Sequence, residues 1–447
     1  GAVPPPRMTA SRTAGRTVLV VSYSYPPNGS PGALRTVKFA RYLPASGWQA
    51  VVVTPRAGYA AITGLTDEAE AAGVRVVRTR DLGWAMRRLA PVGAPPAAGA
   101  AAPARGEGRR ARILKSAQML AIPDRNVGWY PFGVAAAADA ARATRPSVVF
   151  STSPAITNHL VALRTAARFG LPWVADFRDP WTLSGGYAVP AWRRPLDRRI
   201  ERRIVEHATR IVVTTEHDVE LFARGYPWAR EKLRLVRNGF DPADFAGLPG
   251  PAEGDPRFTL TYAGSFYGGG RDPDALLAAM ASLRAQGVLT PENFRLRLVG
   301  NPEAAVRARV AEHGVGELVE ETGAVPYHQA LALLASSSAV LLLTHLNLSS
   351  IPVKFYDYLG VRRPILALTE PTFEVAGLVR RSGAGSVVHA RDVEGIRGWL
   401  AERVGRGTPP APTGDAAREL TRQAAARELA AVLDEAAAVP RALAGAA

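Results

Sequence analysis

Two periods alternate along this chain. Short apolar runs of four to six residues recur, and between them apolar residues return every three or four positions, the spacings of buried strands and amphipathic helices. The first run predicts a strand at 17–22, followed by a polar Gly/Pro loop, a helix over 33–45 and a strand at 50–54. Further strands are predicted at 74–78, 148–151, 173–176 and 211–214, with helices over 109–120, 132–143, 155–169 and 195–207. The alternation restarts after the Pro/Gly/Asp-rich stretch 241–254. Strands then fit 259–263, 295–299, 340–343 and 364–367, and helices fit 272–285, 302–312, 328–335 and 352–359. Strands alternating with helices predict parallel sheets with crossover helices. Two such runs predict an α/β protein of two Rossmann-like, doubly wound domains whose strand ends face a cleft. The expected divisions are a disordered Pro/Arg-rich stretch at 1–15, a first domain at 16–238 with a flexible Ala/Pro/Gly-rich loop at 90–108, and a second domain at 239–410. A helical tail at 411–447 is expected to pack back on the first domain.

Composition narrows the class. With 447 residues, 47% apolar and 21% charged, the chain has the core of a two-domain globular protein and is not disordered throughout. The absence of cysteine excludes disulfides, thiolate metal sites and a Cys nucleophile. No apolar run reaches the roughly 18 residues of a membrane span, and the first fifteen residues lack the apolar core of a signal peptide, so a cytoplasmic protein is expected. Net charge is +16, and only four of the 55 basic residues are lysines. Such an arginine bias, alongside abundant Ala, Gly and Pro, is a signature of a GC-rich bacterial genome. A net positive field nonetheless favours anionic ligands.

Four segments carry candidate chemistry. After the first strand, Pro26-Pro27-Asn28-Gly29-Ser30-Pro31-Gly32 offers small residues and a helix N-terminus to a ligand, though without dinucleotide-motif spacing. Asp176-Phe177-Arg178-Asp179-Pro180-Trp181 follows an apolar strand and brings two acids and an arginine to the cleft, for hydrogen bonds to sugar hydroxyls or proton transfer. Gly264-Ser265, followed by three glycines and Arg271, forms a Gly-rich strand-to-helix turn ending in a cation, suited to a diphosphate. Asp272 and Asp274 read as residues of the next helix's first turn, not as a metal clamp. Finally, Ser349 or Ser350 caps a helix that Ile351 and Pro352 open. Its N-terminus and Lys354 would bind an anion, and Asp357 would accept ribose hydroxyls. His159 lies early in a helix, and Glu320 and Glu321 read as sheet-edge residues.

Together these segments resemble the retaining, GT-B-fold glycosyltransferases of family 4, over about 17–403. The resemblance rests on Pro26-Pro27 with Gly29 and Gly32, Ile122-Pro123-Asp124 with Gly128-Trp129, Ser151-Thr152-Ser153-Pro154, Asp176-Phe177-Arg178-Asp179-Pro180-Trp181, and Asn238-Gly239-Phe240-Asp241. It implies transfer of a sugar from a nucleotide-diphosphate sugar with retention, without a metal or other cofactor. The leaving diphosphate would meet Arg271, Lys354, Gly264, Ser265, Ser350, Ile351 and Pro352, with Gly29 and Gly32 completing the donor site. Val325 would meet the base and Asp357 the ribose. In the family's E-x7-E pattern the first acid is replaced by Ser349. His159 and Asp176 stand as first-domain catalytic candidates, and Asn28, Arg178 and Asp179 as acceptor contacts.

The expected partners are the donor and an acceptor, either a natural-product intermediate or a lipid-linked or surface glycan. Basic amphipathic faces at Arg109, Arg110, Arg112 and Lys115, and at Arg193, Arg194, Arg198, Arg199, Arg202 and Arg203 around Leu196, Ile200 and Ile204, suit peripheral contact with anionic lipid. No basic motif interleaved with aromatics suggests nucleic acid. The alternatives are a GT-B-fold epimerase or phosphorylase, and a nonenzymatic nucleotide or nucleic-acid binder.

Overall fold

The computed structural model describes residues 16–27, 31–56, 72–83, 120–250, 255–266, 271–344, 351–406 and 415–439. The expectations for 1–15 and 90–108, and for nearly all of the helix at 109–120, fall outside these residues.

In the first domain β1 (Arg16–Val21), β2 (Trp48–Pro55), β3 (Arg75–Thr79), β4 (Val148–Thr152), β5 (Trp173–Phe177), β6 (Arg210–Val213) and β7 (Leu233–Leu235) form one parallel sheet, in the order β3-β2-β1-β4-β5-β6-β7. The helices are α1 (Pro31–Tyr42), α2 (Tyr130–Thr144), α3 (Ile156–Phe169), α4 (Arg194–His207) and α5 (Glu216–Gly225). Interior strands such as Val148–Thr152 are buried on both faces, which explains their unbroken apolar sequence.

The second sheet runs β10-β9-β8-β11-β12-β13, also parallel. Its strands are β8 (Phe258–Ala263), β9 (Phe294–Val299), β10 (Val319–Gly323), β11 (Ala339–Leu343), β12 (Ile365–Leu368) and β13 (Gly385–Val388). The accompanying helices are α6 (Asp274–Ala285), α7 (Ala304–Glu312), α8 (Tyr327–Ala335), α9 (Val353–Val361), α10 (Glu374–Arg381) and α11 (Val393–Arg406). In each sheet the order reverses beside the first strand, at β1/β4 and β8/β11, and ligands of such sheets bind at the carboxyl ends there.

Three strands escape the apolar pattern: β7, β10 and β13. All three close a sheet edge, where strands are short and carry polar residues. Glu320 and Glu321 sit on β10, at the edge of its sheet.

The chain crosses between the domains twice. The outward crossing passes through Val236–Asp241 and the return through Leu420–Arg422, and the two are hydrogen-bonded: Phe240 N–H to the Leu420 carbonyl at 3.1 Å, Arg422 N–H to the Phe240 carbonyl at 2.7 Å. A Cβ on Gly239 would lie 2.5 Å from the Thr421 carbonyl carbon, so this close approach requires glycine. Beyond the return crossing, α12 (Arg422–Ala437) buries Ala425, Leu429 and Leu433 against Val37 and Ala40 of α1.

Candidate active site

The second-domain half of the site forms where β8 ends. Gly264 adopts φ +114°, a backbone that only glycine takes without strain, and a Cβ there would come within 3.0 Å of Lys354 Nζ. The Arg271 guanidinium reaches the Ser265 carbonyl through Nη1 at 3.4 Å, and the Tyr262 hydroxyl donates to the same oxygen at 2.7 Å. Arg271 is itself buried. Lys354 is on the first turn of α9, which begins after Pro352 and whose N-terminus carries no side-chain cap. Its Nζ is buried over the Tyr262 ring, 4.0 Å from the centroid, with no hydrogen-bond partner among the described residues. Burial, reinforced by the neighbouring Arg271 charge, holds the Lys354 ammonium well below the usual lysine pKa; Asp357 pulls the other way.

Two arginine and lysine charges, an uncapped helix end and a small-residue turn thus converge on one spot, and buried cations need anionic compensation. The arrangement can hold a diphosphate between Arg271, Lys354 and the first N–H groups of α9. One turn along α9, Asp357 accepts a 2.9 Å hydrogen bond from the Tyr327 hydroxyl. Burial raises its pKa to about 6 against the opposing effect of that hydrogen bond. Ile351 is buried at the head of α9, and Val325 is half-buried in the loop between β10 and α8. Ser350, Asn28 and Gly29 lie outside the described residues.

Asp272 and Asp274 turn towards α7. Asp274 meets His313 Nε2 at 3.0 Å, and Asp272 pairs with Arg309. Among the described residues no group of three His, Asp or Glu side chains is placed to hold a metal.

The first-domain half corrects two expectations. Asp176, a catalytic candidate from sequence, is fully buried at the end of β5. It accepts two 3.1 Å bonds from Arg35 Nε and Nη2, and one of 2.7 Å from the Thr152 hydroxyl. This carboxylate is consumed in a buried ion pair and has no access to solvent. His159 is equally sealed: fully buried, its Nδ1 2.8 Å from the Ser151 hydroxyl and its ring packed on Phe177. Burial lowers its pKa to about 3, which keeps it neutral, and its Nε2 has no hydrogen-bond partner among the described residues. The motif's other two polar residues do reach the surface: Asp179 is exposed and Arg178 half-buried. The Arg178 guanidinium lies against α1, 3.0 Å from where a Gly32 Cβ would sit. Gly32 therefore makes room for Arg178, in the first-domain half of the site.

Three contributors carried no local signal. Arg35 spans Asp176 and the hinge, donating to the Val236 and Arg237 carbonyls and to Asn238 Oδ1 at 2.9–3.1 Å. Tyr327 buttresses Asp357. Arg422, on the returning segment, donates to Asn238 Oδ1 at 3.2 Å. Its burial, and then the Arg35 charge, lower its pKa to about 10.

Residues 32–239, just under half of the chain, match the family model described as a glycosyl transferase 4-like domain. No curated protein matches the chain in sequence. Solved structures resemble it along nearly its whole length. The lipopolysaccharide outer core galactosyltransferase WaaB is 10% identical, with 94% of this chain and 99% of that one covered and a TM-score of 0.57. A glycosyltransferase from Rickettsia africae is 11% identical, with 96% and 100% covered and a TM-score of 0.59. Anabaena HepE, solved in complex with UDP and glucose, is 12% identical, with 93% and 95% covered and a TM-score of 0.51. At such identities the likeness establishes the architecture: two parallel-sheet domains in the GT-B arrangement.

Proposed function

We propose that this protein is a glycosyltransferase that moves a sugar from a nucleotide-diphosphate sugar to an acceptor hydroxyl, with retention at the anomeric carbon and without a metal. One observation carries the reading: the Lys354 ammonium, buried and without a hydrogen-bond partner beside Arg271, at the mouth of an uncapped helix. A buried cation in that state destabilises the free protein and is explained by an anion that binds there. As the bond from the anomeric carbon to the diphosphate breaks, negative charge grows on the departing oxygen. Arg271, Lys354 and the α9 N–H groups stabilise that charge most where it is greatest, in the transition state. Cations, not carboxylates, line this spot, which supports charge compensation by side chains.

Asp357 would accept the ribose hydroxyls, displacing or sharing the Tyr327 hydroxyl. Arg178 and Asp179 are the side chains of the first-domain motif that an acceptor can meet, and we assign them to acceptor binding. Retention rests on the resemblance to family 4 in the sequence motifs and on the match of 32–239. HepE's complex with UDP and glucose supports testing uridine donors first.

The test is a thermal-shift screen of UDP-, GDP- and dTDP-sugars and the free diphosphates, followed by product analysis with a responding donor. A rise in melting temperature with a nucleoside diphosphate that is lost in Lys354→Met is expected, and NMR should show an anomeric configuration matching the donor. Absence of any nucleotide response in the wild type would overturn the assignment.

A further inference from the structure

The exposed face of α4 combines arginines with large apolar side chains. Asp197, Glu201, Ile204 and Val205 point inwards and are buried. Leu196, Arg199 and Arg203, at i, i+3 and i+7, share the opposite side, and Arg198 and Arg202 flank them. Leu196 keeps 45% of its surface exposed, and Trp192, just ahead of the helix, 49%. Arg193 donates to the Pro123 carbonyl and so draws in the segment where Leu120 is 71% exposed. Against the exposed arginines stands one exposed carboxylate of the helix, Glu206, already paired with Arg202 at 2.7 Å. Large apolar side chains are therefore held in water within a cationic face.

The buried side of the same helix holds the acceptor loop. The Thr182 N–H and hydroxyl donate to Glu201 at 2.7 and 2.9 Å, and the Tyr187 hydroxyl donates to Asp197. The loop that continues Asp176–Trp181 is thus fastened to α4, about one helix diameter, roughly 10 Å, from the exposed arginines.

We propose that this face of α4, with Trp192 and Leu196, docks on an anionic phospholipid bilayer, so that the acceptor loop works beside the membrane surface on an amphiphilic acceptor. The acceptor clause rests on the glycosyltransferase reading; the docking itself does not. An indole and a leucine enter the headgroup boundary while guanidinium groups meet lipid phosphates, a combination that favours a bilayer over the phosphate backbone of an undistorted duplex, which would recruit the arginines. Among the described residues no helix is long and apolar enough to cross a membrane, so the contact is peripheral.

The full chain should be sedimented with vesicles of phosphatidylcholine alone or mixed with phosphatidylglycerol. Binding is expected only to the mixture, weakening as salt shortens the Debye length below about 10 Å. Trp192→Ala with Leu196→Ala should weaken partitioning roughly tenfold, and Arg199→Glu with Arg203→Glu by more. Both variants should keep the wild-type melting temperature and nucleoside-diphosphate response, which reports separately on the enzymatic reading. Equal recovery in the supernatant with both vesicle types would overturn the proposal. So would tight binding to duplex DNA that the arginine variant loses and the Trp192/Leu196 variant retains.

Discussion

Two buried charges, Asp176 in the first domain and Lys354 in the second, have opposite surroundings. In the first, Asp176 at the end of β5 is matched by Arg35 and Thr152, and two further carboxylates are held likewise: Asp197 of α4 by Arg193, and Asp124 by the Thr157 N–H and hydroxyl. In the second, Lys354 sits beside a second cation with no hydrogen-bond partner among the described residues, its charge eased by the Tyr262 ring and by Asp357 one turn along the helix. A satisfied buried charge supports the fold; an unsatisfied one beside a second cation and a helix N-terminus is a candidate place for an anionic ligand. A buried charge is therefore read from its partners, not from its residue type.

The contrast breaks most sharply at Arg35. Arg35→Met should leave Asp176 buried and unpaired and loosen the hinge. The expected cost is about 3–5 kcal/mol, seen as a fall in melting temperature on the order of 10 °C. A variant that melts with the wild type would show that this pair is not what holds the first domain to the hinge.

Lys354→Met should do the reverse. Turnover should fall about 10²–10³-fold, while the free protein melts at a higher temperature because a buried unpaired cation has gone. Arg271→Ala should lower turnover on the same scale. Steady-state rates and thermal melts on both variants decide this, and unchanged turnover in both would remove the diphosphate from this site.

A smaller effect sits at Asp357, whose contact with donor exists before and during reaction. Asp357→Asn should raise the donor KM about tenfold and change turnover less. Its folded pKa of about 6 lies above the unfolded carboxylate value. The unfolded chain therefore binds fewer protons between about pH 4 and 6, and stability falls as pH rises through that window. Asp357→Asn should accordingly be more stable than wild type above pH 6, with the gain vanishing below about pH 4. In the wild type, donor affinity should improve as pH rises past 6. Denaturation and donor titrations across pH measure both trends.

The smallest expected effect is none. Excess EDTA should leave the initial rate unchanged if, as proposed, two cations and a helix terminus compensate the diphosphate. Activity lost to EDTA and restored by magnesium or manganese would assign part of that role to a metal.

Much of this could be read from the chain alone. Apolar runs located the interior strands because both of their faces are buried, and alternating periods gave the parallel two-domain architecture. The edge strands β7 and β13 were silent, and β10 showed only as the sheet-edge acids Glu320 and Glu321, because edge sequences answer to solvent on one side. Arg271, Lys354 and Asp357 stood out because turns and helix starts have local grammar: glycine for unusual backbone, proline at a first turn, charge beside a dipole. What the sequence could not say is which charges are already spoken for. Asp176 looked as chemical as Lys354 until Arg35, 141 residues away, was seen to hold it. His159 looked like a cleft histidine until the packing of Phe177 sealed it. Arg422 met Asn238 across 184 residues. Local patterns determine which residues are inside and which elements they build, because those depend on neighbours a few positions away. Partnership between buried polar groups depends on residues brought together only by the fold, and that tertiary pairing decides which charge supports the structure and which awaits a ligand.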